Sequence, residues 1–407
     1  MENTQFYKPF YQFRINKEIE QKTQIYEDQL KQQSFLQSQQ QELEIPKYEI
    51  SWPLNFILSP DKQLAYMAMS DRNINIYQIH NQGITQVGEI KQAHEKKINQ
   101  LIIEDNMLFS CSNDGTVKIW DASNYKQIDS LKKQNQEITS ISKSKYILAG
   151  GSDKESILFW DLQKMKFRGE FKETLNNDVT SVNFHKQEST NLLAGSLDGM
   201  LAQMDLTQQN EEDSCQLMMK IEQPIEQINF INNSKRYAYV VSTANTIDLI
   251  DLQESVKALH IDCINFLEYN EDYLIDIDES STESCLKYWM GNADGQLSQY
   301  QVTDMHSKPI VKKIQTGHKS TVTCIKEIQN NVYLSCCDRG ILELSHQNNN
   351  QQEIFQEKSL IDMEEEQQYY DTQINPNIQQ NSNQKTNIRN QIRNKQNNGN
   401  TTSFNPL

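Results

Sequence analysis

The chain has 407 residues, 36% of them apolar, and a formal net charge of −16. The apolar share lies below the roughly 45–50% of ordinary globular chains, because Gln and Asn crowd the two ends. Residues 1–44 and 347–407 each carry 5 basic and 7 acidic groups, which leaves −12 on the middle; an acidic body repels phosphate backbones and disfavours general nucleic-acid binding.

The N-terminus, MENTQFYKPFYQFR, lacks a continuous apolar stretch and does not read as a signal peptide. Its aromatic cluster, Phe6, Tyr7, Phe10, Tyr11 and Phe13, either docks a partner or packs against the folded body. Residues 14–44 contain no Pro or Gly, and Ile15, Ile19, Tyr26, Leu30 and Leu36 lie loosely on one helical face. That pattern predicts a helix, weaker than a sustained coiled-coil seam. IPKYEIS, Ile45 to Ser51, reads as a short alternating strand.

From there the chain repeats itself. In SCSNDGTVKIWD, Ser110 to Asp121, alternating residues flank an Asp-Gly turn, the mark of a β-hairpin. GGSDKESILFWD (150–161), AGSLDGMLAQMD (194–205), STANTIDLID (242–251), MGNADGQLSQYQ (290–301), SCCDRGILELS (335–345) and SDRNINIYQ (70–78) are further copies. The residues read as closing each hairpin are Tyr77, Trp120, Trp160, Met204, Ile250, Tyr300 and Leu344, spaced by 40 to 50. Seven short-strand units at that period predict an all-β, seven-bladed β-propeller over 45–346. The extension 1–44 is read as partly helical, and the Asn/Gln-rich tail 347–407 as disordered. The seventh copy has three strands, so Ile45–Ser51 is expected to supply its outer strand and close the ring.

Seven cysteines without a CxxC pair give neither a disulfide framework nor a zinc spacing. No run of about 18 apolar residues spans a membrane. The chain therefore reads as soluble and intracellular, cytoplasmic or nuclear, with no cofactor or metal. The acidic stretch 268–284 lacks EF-hand offsets and reads as a solvated insertion. No HExxH, GxSxG or Walker pattern is present, so no catalytic residues are assigned and no enzyme is expected.

These repeats resemble the WD-repeat (WD40) propeller family. Segments 176–206, 272–276 and 316–338 resemble the WD repeat-containing protein 89 family in particular. The resemblance implies a structural hydrogen-bonded relay, His94, Ser110, Asp114 and Trp120, rather than a nucleophilic triad. Partial copies fall on Asp153 and Trp160, on Asp198, on Asp294, and on His318, Ser335 and Asp338. It also implies a non-enzymatic scaffold that binds protein segments within a complex, with no small-molecule substrate. From propeller topology the partner-facing positions are Lys96, Lys97, Asn113, Ser152, Asn177, Asp178, Leu197, Lys319 and Ser320. The alternative is a ribonucleoprotein- or chromatin-associated nuclear factor that uses the sparsely basic tail residues Lys385, Arg389, Arg393 and Lys395.

Overall fold

In a computed structural model the described residues are Tyr11–Arg14, as backbone, and 51–346 apart from short loop stretches, the longest being 264–272, 279–285 and 303–309. They form seven four-stranded antiparallel sheets. Blade one comprises Pro53–Leu58, Leu64–Met69, Ile74–His80 and Gly83–Ile90. Blades two to six repeat this inner, second, third and outer order, beginning at Ile98, Ile138, Val179, Ile225 and Tyr273. Blade seven takes Val322–Gln329, Val332–Cys337 and Ile341–His346 from the end of the described chain.

The outer strand of blade seven corrects the sequence reading. It is Tyr11–Arg14, not Ile45–Ser51, of which 45–50 lie outside the described residues. The register sets Tyr11 opposite Leu344 and Phe13 opposite Leu342, both leucines buried. IPKYEIS carries Pro46, which has no N–H to give a ladder. The propeller therefore begins inside the segment read as a helical extension. Residues 15–52 join this strand to blade one. The other blade-to-blade connections take between four and ten residues.

Two local devices recur in every blade. The inner strand bulges by one residue at its start, between Pro53 and Asn55 in blade one and between Val322 and Cys324 in blade seven. Such a bulge raises the local twist and bends the strand. The turn between second and third strands places one residue in the left-handed region: Arg72, Gly115, Glu155, Gly199, Asn245, Gly295 and Gly340. Glycine adopts that conformation without steric cost, and Arg72 and Glu155 do not.

The core lies between blades rather than within them. Phe56, Met67 and Tyr77 of blade one pack with Leu334, Leu342 and Leu344 of blade seven. Phe109, Val117 and Ile119 of blade two meet Ile138, Leu148 and Trp160 of blade three. Close to the channel a second tie repeats. Asn55 Nδ2 donates to Asn99 O at 2.8 Å, Asn99 Nδ2 to Ile138 O at 2.7 Å, and Thr180 Oγ1 to Ile225 O at 2.6 Å. Thr139 Oγ1 reaches Val179 O, Tyr273 Oη reaches Val322 O at 3.0 Å, and Cys324 Sγ reaches Leu54 O at 3.4 Å. Leu274 N–H donates to Asn245 Oδ1 at 3.1 Å across blades five and six. Each of the seven seams thus carries a hydrogen bond as well as apolar contact.

Removing residues 1–14 should leave Ile341–His346 as a bare edge, giving concentration-dependent association and a broadened thermal transition. Deleting 24–43 from the tether should instead shift stability by only about 0.6 kcal/mol, since closure entropy varies slowly with loop length. Calorimetry and light scattering on the two deletions check this.

Candidate functional site

In blade two, four side chains form one hydrogen-bonded chain. Trp120 Nε1 donates to Ser110 Oγ at 2.9 Å, Ser110 Oγ lies 2.7 Å from His94 Nε2, and His94 Nδ1 lies 2.9 Å from Asp114 Oδ2. Burial would raise the Asp114 carboxyl. Hydrogen bonds from His94, from Thr116 and from the Glu95 N–H outweigh it and hold the group well below the usual carboxylate range. With Asp114 ionised and Trp120 able only to donate, every donor finds an acceptor when His94 carries its proton on Nδ1. Donation then runs Trp120 to Ser110 to His94 to Asp114.

The order Ser–His–Asp is that of a nucleophilic triad, and its setting removes the nucleophile from use. Ser110 is 0% exposed and its oxygen already accepts the indole N–H. A substrate carbonyl has no route to it. What the chain does is tie the loop at His94 to the second and third strands and to the turn at Asp114, a satisfied polar network that rigidifies its surroundings.

The other blades keep fragments. The left-handed turn residue fixes the correspondence, because Asp114 directly precedes Gly115. By that measure Asp71, Asp198 and Asp294 occupy the Asp114 position, whereas Lys154, Ala244 and Arg339 occupy it in blades three, five and seven. Asp153 and Asp338 stand one residue early, where blade two has Asn113. The Asp153 and Asp338 N–H groups donate to Glu137 O and Thr321 O, as Asn113 N–H does to Lys97 O. The same count places Ser345, not Leu344, where blade two has Trp120.

Each fragment has its own chemistry. Asp153 still accepts the Glu137 N–H at 2.7 Å. Ser196 donates to Asp198 at 2.5 Å. Asp294 is exposed, and Asn292 Oδ1 accepts the N–H groups of Asp294 and Gln296. In blade three the relay serine is replaced by Gly150, and a Cβ there would come 2.8 Å from Trp160 Cζ3. The Trp160 indole is fully buried and its Nε1 has no acceptor.

Blade seven keeps the histidine and the serine but loses the carboxylate and the tryptophan. His318 Nε2 lies 2.9 Å from Ser335 Oγ, but with Arg339 in the carboxylate position the buried Nδ1 has no partner. Glu343, fully buried, accepts the Gly317 N–H at 2.7 and 2.9 Å. At the same place in blade two, Lys118 Nζ donates to Ala93 O at 2.6 Å. Burial lowers the His318 pKa to about 4, against a small upward pull from Asp338.

The partner-facing positions divide. Lys96, Lys97, Lys319 and Leu197 are exposed, and Asn113, Asn177 and Asp178 are half-buried. Ser152 is 0% and Ser320 6% exposed; both face inward and are not available to a partner. Ser152 Oγ instead accepts the Lys154 N–H. A cavity of about 530 Å³ opens at the turn end of blades two and three, where Lys96, Asn113 and Asp114 face Lys133, Asp153 and Lys154. Around it Lys96 pairs with Glu137 at 3.0 Å and Lys133 with Glu170 at 3.1 Å. Trp52, 44% exposed beside the blade-one turn, was not singled out by pattern. Its signal was a tryptophan outside any closing position.

Among the described residues no group of His, Cys, Asp or Glu could hold a metal ion, and no helix is long and apolar enough to cross a membrane. The basic tail positions 385–395 and the helix read over 14–44 lie outside the described residues, Arg14 apart.

A seven-bladed ring of hairpins with a buried His–Ser–Asp–Trp chain defines a WD-repeat propeller. Residues 84–121 match the family model described as WD domain, G-beta repeat. The chain is 32% identical over 205 residues to the WD repeat-containing protein 89 homolog of Dictyostelium discoideum, covering 50% of this chain and 56% of that protein. It is 27% identical over 206 residues to WD repeat-containing protein GTS1 of Arabidopsis thaliana, covering 46% and 52%. An uncharacterized WD repeat-containing protein of Schizosaccharomyces pombe is 22% identical over 287 residues, covering 64% and 86%. The matched stretch thus spans about half the length of the first two relatives. The matched repeat and the seven-bladed ring are similar to those of the WD40 propeller family.

A pH dependence follows from His318. The unfolded chain takes up a proton near pH 6.5 while the native histidine stays neutral to about 4. The stability contributed by a neutral His318 is therefore full above pH 6.5 and is lost as the pH falls toward 4, with the buried Glu343 Oε2, 4.0 Å from Nε2, facing the ring. His318→Gln should remove that component. Arg339→Asp should raise the histidine pKa, read by NMR titration. A native His318 titrating at 6.5 would contradict this.

Proposed function

We propose that the protein is a non-enzymatic scaffold that holds a protein segment on the turn end of the propeller, over blades two and three. The observation that supports this reading is the cavity of about 530 Å³ there, built directly on the complete relay of blade two. Asp114 belongs to both, so the floor of the cavity is rigid before any partner arrives, which lowers the ordering cost of binding. Lys96 and Lys154 are each 59% exposed at its edge, and Lys97 and Lys132 are exposed nearby. In a chain with a net charge of −16, this lysine group favours an acidic segment, through encounter rate and orientation more than through raw affinity. Trp52 and Leu197, exposed on the same end, supply the apolar contacts that dominate such interfaces.

Replacing Lys96 and Lys154 by Glu should lower capture of the protein's partners at least tenfold while leaving its thermal stability unchanged, because exposed ion pairs contribute little. Quantitative affinity purification from cells reads the outcome. Partners retained undiminished by this variant, and by Trp52→Ala with Leu197→Asp, would place the interface elsewhere.

A further inference from the structure

One seam of the ring is tied through sulfur. The other inter-blade ties use an amide, a hydroxyl or a backbone N–H. Blade seven uses the Cys324 thiol, which donates to Leu54 O of blade one at 3.4 Å. Cys324 follows the bulge of its inner strand, and the register sets it directly opposite Cys336 on the second strand. Side chains opposite each other in an antiparallel pair share one face, and both cysteines lie in the apolar cluster between blades seven and one. Opposed residues hold their Cα atoms about 4.5–5.5 Å apart, inside the roughly 4.4–6.8 Å that a disulfide spans. Among the described residues no other two cysteines face each other across a ladder. Cys111 stands opposite Gln100, Cys215 opposite Met204 and Cys337 opposite Val322.

We propose that Cys324 and Cys336 are a reversible oxidation site, whose cross-strand disulfide releases the sulfur tie between blades seven and one. The two thiols differ in access. Cys324 is 7% exposed and Cys336 is fully buried, and burial, then the hydrogen bond with Cys324, raises the Cys336 thiol well above its ordinary range. Cys324 is therefore the sulfur that a small hydroperoxide reaches, and Cys336 is the one that resolves the product. In the first step the deprotonated Cys324 sulfur attacks a peroxide oxygen; an S–O bond forms, the O–O bond breaks, and hydroxide leaves as water with the thiol's proton. Cys324 is oxidised to a sulfenic acid, and the peroxide is reduced by two electrons. In the second step the Cys336 sulfur attacks the Cys324 sulfur. The S–S bond forms, the S–O bond breaks, and the departing hydroxide takes the Cys336 proton as a second water. A dithiol reverses the reaction by exchange and is itself oxidised to a disulfide. Once oxidised, Cys324 has no S–H, so Leu54 O loses that donor. Two strands of blade seven are then locked to each other, and the tie to blade one is gone.

The test treats the full chain with hydrogen peroxide, blocks the remaining thiols in denaturant and maps linked peptides by mass spectrometry. A Cys324–Cys336 link within one chain, removed by dithiothreitol, is expected. Both thiols left unmodified, oxidation that runs on to sulfinic acid, or a link from Cys324 to another cysteine or another chain would overturn the proposal. In Cys336→Ser, dimedone should capture a sulfenic acid at Cys324; no adduct there would count equally against it. Hydrogen exchange reads the tie in the wild-type protein. The amides of the blade-one inner strand should exchange at least tenfold faster after oxidation and recover on reduction, whereas an unchanged rate would show that the disulfide releases nothing.

Discussion

A propeller blade has two apolar faces and buries neither by itself, so every blade depends on its neighbours and the ring depends on being shut. The seams carry the structure: clusters such as Phe56, Met67 and Tyr77 against Leu334 and Leu344 exist only when blades one and seven meet. The inner hydrogen bonds from Asn55, Asn99, Thr139 and Thr180 point the same way round, each to a backbone oxygen of the next blade. A carbonyl at a bulge has lost its ladder partner, and a neighbour's side chain satisfies it. Closure therefore removes exposed apolar area and unpaired backbone in the same step.

Polar rigidity is distributed unevenly round the ring. Blade two holds the complete donor chain from Trp120 to Asp114. Blade seven holds a histidine with an unpaired Nδ1 and a buried serine, Ser345, whose hydroxyl has no partner. Unsatisfied buried groups of this kind cost about 1–3 kcal/mol each. The blade closed by a remote strand thus also holds buried polar groups without partners. The proposed partner surface lies beside the one complete network, that of blade two.

The hairpins were legible in the amino-acid pattern because an Asp-Gly turn between alternating runs has few other meanings. Seven copies at a near-constant period settled the blade number. The closing strand was not legible. YQFR is four residues long, and IPKYEIS lay nearer to blade one with an equally regular alternation; only the pairing to Ile341–His346 separates them. Counting from an acidic residue also misplaced blades three and seven by one. The conformational landmark is the left-handed residue; an Asp directly precedes it in four blades but stands two residues before Glu155 and Gly340. The inner hydrogen bonds escaped notice because one Asn or Thr at the second position of a strand is unremarkable until the next blade's carbonyl is set against it.

Amide hydrogen exchange in the full chain tests the closed ring most directly. If Tyr11–Arg14 shuts blade seven, its ladder amides exchange as slowly as those of Gln127–Lys132, the outer strand of blade two, and Ile341–His346 is protected to the same degree. Rapid exchange over 11–14, with protection at 45–51 instead, would contradict the account.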